Sequence, residues 1–447
     1  MIPERGTPPP VRIAHLGLGG FFRAHQAWYT GAADDAGDWG IAAFTGRSRT
    51  LADALDRQHG LYTLVLRGPE RDEMSVQRAV SRAHPGSDLE AWSGYLARAE
   101  TAVVTLTVTE AAYARRPDGT PDLDREDVRA DIAAVRQRDT VVTVPGRLVA
   151  GLAARRHADA GPLAVVSCDN VPGNGRLTAD VVTALAEAAD PGLATWIHDH
   201  VAFVDTMVDR ITPHTTPDDV RAVAEQTGWH DEVPVVTEPF TEWVLSGAFP
   251  AGRPRWETAG AAFVDDVHPY ETRKLLLLNA AHSLLAYAGS ERGHETIAEA
   301  MDDDECRRWL DQWWDEAVRY VPLPEQDLAA YRSALVERFS NPRMRHTLAQ
   351  IAADGSQKLP IRLLPVLLGE RAAGRMPPGA VRILAAWIDH LRGFGAPVKD
   401  AGAGPYRERA GSAPEVIALL APDLAGDADL AAAVQGALLP PRAAAST

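Results

Sequence analysis

Short apolar runs and helix-like segments alternate along the first part of the chain. The runs at residues 11–16, 41–45, 102–109 and 163–168 are mostly rich in β-branched residues, a pattern typical of buried strands. Segments 51–59 and 177–189 carry the spacing of helices. Strands that alternate with helices in this way predict a parallel, doubly wound α/β sheet.

The hydrophobic pattern changes near residue 269. Beyond it, strand-like runs become scarce and four long segments have helical spacing: residues 275–287, 295–317, 328–338 and 381–391. We therefore predict a Rossmann-like dinucleotide-binding domain over residues 1–268 and a mainly α-helical substrate and catalytic domain over residues 269–447.

A glycine turn follows the first predicted strand directly. Gly17 and Gly19 would let the backbone turn tightly and approach a pyrophosphate, and the helix that follows would meet its charge. Arg23, just beyond the turn, is a candidate phosphate partner. Phe22 stands where the third glycine of the dinucleotide-binding motif would be, so an ordinary loop between strand and helix is the alternative.

The residues after the second predicted strand leave the cofactor preference open. A site that prefers NAD usually has an acid there, whereas this chain has Arg47 and Arg49,. These arginines could accept the 2′-phosphate of NADP, or they could belong to a solvated loop.

Four functional groups stand in an otherwise apolar helix, from Glu271 to His282. At about 100° per residue, Glu271, Lys274, Asn279 and His282 fall within an arc of about 140°. An apolar setting lowers the pKa of a lysine, which makes Lys274 a candidate general base. The amide of Asn279 could donate to an oxygen that becomes negative. The alternative is a snorkelling lysine and a core Asn and His that satisfy one another.

Polar loops elsewhere add further candidates. Asn170 follows a predicted strand and could stabilise an oxyanion, although residues 169–170 could equally be turn formers. Asp209 and Arg210 are adjacent, as in a structural ion pair. Lys358 could hydrogen-bond a substrate hydroxyl or carboxylate, with Arg362 as a second cation, and an exposed lysine is the plainer interpretation.

Composition narrows the possible partners. The chain has 45 Lys and Arg against 61 Asp and Glu, a formal net charge of -16, which disfavours nucleic acids and anionic membranes. Its two cysteines, Cys168 and Cys306, suggest a reducing cytoplasm, and no metal-ligand motif is present,. No apolar run is long enough for a membrane helix. The oligomeric state is not readable from the sequence.

The chain closely resembles the mannitol dehydrogenase family of long-chain, zinc-independent polyol and uronate oxidoreductases. The resemblance covers almost the whole sequence and rests on the signature Lys274-x4-Asn279-x2-His282 and on further segments: Gly17-x-Gly19-Gly20-Phe21-x-Arg23-Ala24-His25-Gln26 and residues 59–64, 107–110, 167–175, 207–213, 237–243 and 354–358.

This resemblance implies an N-terminal nucleotide-binding domain and a helical domain like the C-terminal domain of 6-phosphogluconate dehydrogenase. It implies that Lys274 is the general acid/base and that Asn170 and Asn279 hold the alkoxide-like oxygen. His282 would position the substrate, and Glu271 would relay protons between Lys274 and solvent.

The resemblance also implies contacts in both pockets. Gly20 and Phe21 would belong to the cofactor turn, Asp209 would support the substrate pocket, and Lys358 would contact the substrate. NAD is the expected cofactor, with NADP possible. An arginine that the family often carries before Lys358 is replaced by Gln350, which leaves the substrate's identity open.

The expected substrate is a small polyol, ketose or keto-uronate. Interconversion of mannitol and fructose by hydride transfer is the first hypothesis, and reduction of fructuronate or tagaturonate to an aldonate is the second. A nucleotide-sensing regulator without turnover is a remote third.

Overall fold

A computed structural model of the protein describes residues 2–46, 48–116 and 118–440. The chain divides into two compact units, Met1–His268 and Pro269–Thr447. The α/β fold with a mainly helical second part, which the sequence predicts, is confirmed by the elements of each unit.

Two sheets form the scaffold of the first unit. The strands are β1 Val11–Leu16, β2 Gly40–Phe44, β3 Tyr62–Arg67, β4 Asp72–Gln77, β5 Val80–His84, β6 Val103–Leu106, β7 Leu163–Ser167, β8 Val201–Asp209, β9 Val235–Thr237, β10 Glu242–Ser246 and β11 Ala262–Phe263. The larger sheet has the order β11-β10-β8-β7-β6-β1-β2-β5 and the smaller β4-β3-β9. In the larger sheet β10 runs antiparallel to β8, whereas the pairs from β8 to β5 are parallel.

Helices pack on both faces of the larger sheet. Consecutive residues of a central strand enter different cores: Ile13 lies in one hydrophobic cluster and Ala14 in the other, because side chains alternate along a strand. Both faces are therefore buried, as a parallel sheet requires. The helices are α1 Gly20–Ala24, α2 Gln26–Ala32, α3 Thr50–Arg57, α4 Leu89–Leu96, α5 Glu126–Gln137, α6 Val144–His157, α7 Asn174–Ala189, α8 Pro191–His200 and α9 Pro217–Thr227, with 3-10 turns at Ala36–Asp38, Glu110–Tyr113 and Trp256–Ala259.

The second unit is built from helices. They are α10 His268–Arg273, α11 Ala280–Leu284, α12 Ile297–Met301, α13 Asp304–Ala317, α14 Glu325–Phe339, α15 Leu348–Ile351, α16 Gly355–Arg362, α17 Leu364–Ala372, α18 Pro378–Leu391, α19 Gly404–Arg409, α20 Ala413–Leu420 and α21 Ala428–Ala437. Lys274–Asn279 and Leu285–Gly289 are π-helical, and 3-10 turns occur at Val318–Tyr320, Pro342–Met344 and Pro422–Leu424.

Two of the predicted helices are wrong in detail. The segment 295–317 is broken, because the carboxylate of Asp303 caps a new helix by accepting from the backbone N–H groups of Glu305 and Cys306,. The segment 275–287 is not a regular α-helix, because it contains the two π-helical stretches. Across the described residues, none of the helices combines the length and apolarity needed to cross a membrane.

Candidate active site

The carboxyl ends of three parallel strands carry predicted functional groups of the first unit. The glycine turn follows β1, Asn170 follows β7, and Asp209 is the last residue of β8. The chain leaves β1 for β2 on one side and later returns to β6 on the other. Such a reversal of strand order opens a crevice at this edge, where open α/β sheets bind ligands.

Gly17 is fixed in place by the end of strand β6. Its φ is +113°, and a Cβ built there would overlap the carbonyl oxygen of Thr107 and lie 2.7 Å from the carbonyl carbon. The N–H groups of Gly17 and Leu18 donate to the carbonyl oxygen of Phe44 at 2.9 and 2.8 Å. Only glycine fits this turn without strain.

Gly19 and Gly20 are under no such constraint from the protein itself. Gly19 is extended, with φ -147°, and the nearest atom to an added Cβ would be 3.5 Å away for Gly19 and 3.7 Å away for Gly20. Phe21, the fourth predicted turn residue, packs partly buried against the core and stacks with His25 at a ring distance of 5.1 Å.

Phe22 takes the place of the third glycine by stacking on strand β1. Its ring lies 3.5 Å from that of His15, at an interplanar angle of 11°. His15 is itself held between the hydroxyl groups of Thr105 and Thr107 at 2.8 and 2.9 Å, and burial lowers its pKa to about 3. The neutral imidazole of His15 thus packs against Phe22 and stabilises the turn.

Arg23 is buried against the glycine turn and stabilises it. The guanidinium is buried and donates to the carbonyl oxygen of Gly19 at 3.1 Å and to that of Val233. Burial lowers its pKa to about 10. Together with Gly20 and Phe21 it also lines a cavity of about 730 Å³. Its predicted contact with a phosphate remains a prediction.

The loop after β2 bears on cofactor preference. Arg47 lies outside the described residues. Arg49 is exposed and forms an ion pair with Asp53, at 2.8 Å, one turn along the same helix. Its charge is therefore already met by a carboxylate within the protein.

A buried carboxyl group anchors the loop that carries Asn170. Asp169 accepts from the hydroxyl groups of Tyr113 and Ser167, the latter at 3.1 Å, and from the backbone N–H of Val108 at 2.5 Å. Burial raises its pKa. Asn170 itself is exposed. The sequence interpretation of residues 169–170 as turn formers overlooks this anchor, because an aspartate after a strand looks the same whether it is buried or solvated.

Asn174 ties the same loop to strand β8. Its side-chain amide donates to the carbonyl oxygens of Asp169 and Thr206 at 2.9 and 2.8 Å, and its carbonyl accepts from the N–H of Thr206 at 2.9 Å. Three residues further along β8 is Asp209, which is 3% exposed. The loop of Asn170 and the end of β8 are thus held together by buried hydrogen bonds.

Arg210 does not need Asp209 to satisfy its guanidinium. It donates to the carbonyl oxygens of Ala24 and Glu238 at 2.5 and 3.2 Å and lies 4.9 Å from the ring centre of Trp28. It therefore ties the helix after the glycine turn to the segment after β9.

In the second unit, Lys274 and Asn279 are the first and last residues of a π-helical turn. The expectation of about 100° per residue is wrong here, because the N–H of Ala280 donates to the carbonyl of Leu275, an i→i+5 bond. A wider turn brings residues five apart closer to one face than an α-helix does. Leu276, Leu277 and Leu278 are buried, whereas Lys274 and Asn279 are partly exposed.

His282 is fixed by aromatic neighbours. It is 7% exposed, stacks on Phe339 at a ring distance of 4.6 Å and meets His346 edge-on at 5.0 Å. Glu271 lies on α10, three residues before Lys274, and is partly exposed. Burial thus gives the imidazole one orientation, which suits a positioning role.

Lys358 and Arg362 lie one turn apart on α16. The ammonium group of Lys358 donates to the carbonyls of Ile351 and Ala353 at 3.2 and 2.5 Å, and burial together with the charge of Arg362 lowers its pKa. Arg362 donates to the carbonyl of Asn279 and to the hydroxyl of Ser283, both at 3.0 Å. If Arg362 also binds a substrate carboxylate, as predicted, it must do so while it donates to Asn279 and Ser283.

One group in the described part of the chain has the spacing of metal ligands. The candidate atoms of His294, Asp303 and Cys306 lie within 4.8 Å of one another. The same carboxylate oxygen of Asp303 that approaches His294 is 2.5 Å from the guanidinium of Arg292, and burial raises the pKa of the Cys306 thiol to about 12. The guanidinium of Arg292 is already paired with the carboxylate that would bind a metal ion. We therefore interpret these three side chains as a structural cluster.

Comparisons with known proteins identify the family of the chain. Residues 11–258 match the sequence model of the mannitol dehydrogenase Rossmann domain and residues 266–417 that of the mannitol dehydrogenase C-terminal domain. D-mannonate oxidoreductase of Escherichia coli (strain K12) is 40% identical over 393 residues, 86% of this chain and 80% of that protein. Mannitol 2-dehydrogenase of Cereibacter sphaeroides is 35% identical over 389 residues, 85% of this chain and 81% of that protein.

A solved structure extends the likeness to three dimensions. The ternary complex of Pseudomonas fluorescens mannitol 2-dehydrogenase with NAD and D-mannitol is 33% identical and superposes with a TM-score of 0.81, over 98% of this chain and 92% of that one. The chain belongs to the mannitol dehydrogenase family.

Proposed function

We propose that this protein is an NAD-dependent dehydrogenase that interconverts a secondary alcohol of an open-chain polyol or sugar acid with the corresponding ketone. The observation that carries the proposal is the π-helical turn that begins at Lys274 and ends at Asn279, a base and an amide donor on one widened turn. The named oxidoreductases among its relatives support the same reaction class.

Lys274 is the proposed acid/base. In its neutral form the amine accepts the hydroxyl proton as the alcohol is oxidised, and in reduction the ammonium returns it. The amide of Asn279 donates to the oxygen on which negative charge develops. Asn170 remains a predicted oxyanion donor of the first unit. His282, held by Phe339, binds a substrate hydroxyl, and Glu271 passes the proton between Lys274 and solvent.

The glycine turn after β1 is the proposed cofactor site. When bound, the nicotinamide of NAD accepts or returns the hydride. The positive φ of Gly17 and the open space at Gly19 and Gly20 fit a backbone that approaches a pyrophosphate,. NAD is favoured over NADP because the solved mannitol 2-dehydrogenase that resembles this chain is a complex with NAD.

A sugar acid is the favoured substrate, with D-mannonate and fructuronate as the pair to test first. Lys358 and Arg362 are close enough for one charge to lower the pKa of the other, and a carboxylate would relieve that repulsion. The relative at 40% identity is a D-mannonate oxidoreductase. D-mannitol and fructose are the second candidate pair, supported by the mannitol 2-dehydrogenases.

The test follows nicotinamide absorbance with purified protein, offering NADH and NADPH in parallel with fructuronate and with fructose. Oxidation of NADH with fructuronate alone supports the sugar acid, and oxidation with fructose alone supports the polyol. Binding of NADH without turnover of either would favour a sensing regulator. Lys274→Met should lower kcat by at least about 100-fold while the dissociation constant of NADH stays unchanged.

Lys358→Met separates the two substrate classes. If Lys358 binds a carboxylate, its loss removes a charged hydrogen bond worth about 1.5–3 kcal/mol, so kcat/KM for fructuronate should fall by at least about tenfold. Lys399→Met, which removes an exposed lysine of the same unit, is the matched control. An equal loss in both lysine variants would refute the assignment.

A further inference from the structure

The π-helical turn between Lys274 and Asn279 needs support from outside its own helix. An α-helix would place residues five apart about 140° away from each other at 100° per residue. The i→i+5 pattern brings them nearer, but π-helical turns have poor intrinsic stability and persist as local bulges, often at functional sites. The groups that hold this turn open should therefore be visible around its carbonyls.

Two adjacent indoles supply the first part of that support. Trp313 and Trp314, both on α13 and both buried, donate through Nε1 to the carbonyl oxygens of Leu276 and Leu277 at 2.8 and 2.9 Å. These carbonyls lie in the middle of the π-helical turn. A neighbouring helix thus supplies two side-chain donors at the point where the regular helical ladder is interrupted.

Arg362 supplies the second part, at the far end of the turn. From α16 its Nη1 donates to the carbonyl oxygen of Asn279 and to the hydroxyl of Ser283, each at 3.0 Å. Ser283 in turn donates to the same Asn279 carbonyl at 3.3 Å. Burial lowers the pKa of the Arg362 guanidinium to about 10, so the group remains charged near neutral pH and forms a strong hydrogen bond to the carbonyl.

We propose that Trp313, Trp314 and Arg362 are positioning residues that hold the π-helical turn and so set the spacing of Lys274 and Asn279. The inference rests on the proposed function, because its consequence is catalytic. Without these donors the segment can relax toward an α-helix, which turns Asn279 away from the face of Lys274. None of the three needs to touch the substrate to act in this way.

Indole-to-phenyl substitutions test the proposal, because they remove the donor and keep an aromatic ring. Trp313→Phe and Trp314→Phe should lower kcat by about 10- to 100-fold, the scale of a displacement near 1 Å at a catalytic group. The dissociation constant of NADH should not change. The apparent pKa of the acid/base group in the pH profile of kcat/KM should shift, because the surroundings of Lys274 change.

Trp387→Phe is the matched control. Trp387 is equally buried in the same unit, and its indole N–H has no hydrogen-bond partner among the residues that the structure describes. The substitution therefore costs a similar volume but no donor. It should leave kcat and the pH profile within about twofold of the wild type, because it removes no hydrogen bond to the π-helical turn.

Hydrogen exchange of peptides that span residues 274–283 gives a readout that does not depend on activity. Exchange should quicken in Trp313→Phe and Trp314→Phe but not in Trp387→Phe, since only the first two lose bonds to this turn. Wild-type exchange and turnover in both variants would overturn the proposal, as would equal effects in the control. An inactive wild type with the expected exchange pattern would refute the proposed function and leave the positioning intact.

Discussion

Replacing Gly17 by alanine tests the geometry of the glycine turn most directly. At φ +113° an alanine is strained, and its Cβ would lie 2.7 Å from the carbonyl carbon of Thr107. Strain of this kind costs about 1–3 kcal/mol and overpacking about 1–3 kcal/mol more. Because 1 kcal/mol shifts the melting temperature of a domain this size by about 2–4 °C, Gly17→Ala should lower Tm by at least about 4 °C.

Gly19→Ala separates the turn's stability from cofactor binding. Gly19 is extended and an added Cβ would make only an ordinary contact, 3.5 Å from the carbonyl oxygen of Gly17. Its Tm should therefore stay within the shift expected for about 0.5 kcal/mol. If the backbone of Gly19 lies against a pyrophosphate, the new methyl should raise the dissociation constant of NADH by about tenfold or more.

Calorimetry and NADH titration of the two variants decide the matter. A wild-type Tm in Gly17→Ala would refute the described geometry of the turn. An unchanged NADH dissociation constant in Gly19→Ala, with its fold intact, would remove Gly19 from the cofactor site.

Three further substitutions probe buried charges. Burial and the charge of Asp389 raise the pKa of Glu291 to about 8, so the stability that the neutral acid contributes is lost as pH rises through that value. Glu291→Gln should therefore raise Tm more at about pH 9 than at about pH 5. An equal gain in Tm at both pH values would contradict this. Arg155 is fully buried and donates to five backbone carbonyls. Arg155→Met should lower the free energy of unfolding, measured with denaturant, by at least about 3 kcal/mol. Arg155→Lys should not restore the lost stability. Asp169→Asn keeps one side-chain oxygen as an acceptor and replaces the other by an amide NH2 group. Tm should fall by the equivalent of about 1–3 kcal/mol, and kcat should fall as well. A stable variant with normal kcat would show that the loop of Asn170 does not depend on the hydrogen bonds of Asp169.

The strands of the larger sheet were predictable where burial on both faces leaves a continuous apolar run, as in β7. Strand β8 was not, because it carries acids. The carboxylate of Asp205 accepts from the N–H groups of Gly175 and Arg176 at 2.7 and 3.1 Å, so it caps the first turn of α7. A partner on another element explains the acid, and a sequence shows no such partner.

The identity of the candidate site residues could be predicted, but their local geometry could not. Lys274 and Asn279 stand out as polar groups in an apolar helix, and the resemblance assigns them roles. The π-helical turn is invisible because a period of 3.6 residues is assumed for any helix. Its hydrogen-bond donors Trp313 and Trp314 lie 37 residues beyond their acceptors, where aromatic residues on α13 look like ordinary core.

Arg362 bears both on the geometry of the π-helical turn and on the charge of the substrate. Its bond to the carbonyl of Asn279 fixes it beside Lys358, and its charge lowers the pKa of that lysine. A polyol would leave the repulsion in place, whereas a carboxylate would offset it. The cation that holds the π-helical turn would then also favour an acidic substrate, so Arg362→Met should lower kcat for fructose and fructuronate alike but raise KM mainly for fructuronate. Equal changes in KM for both would restrict Arg362 to the helix.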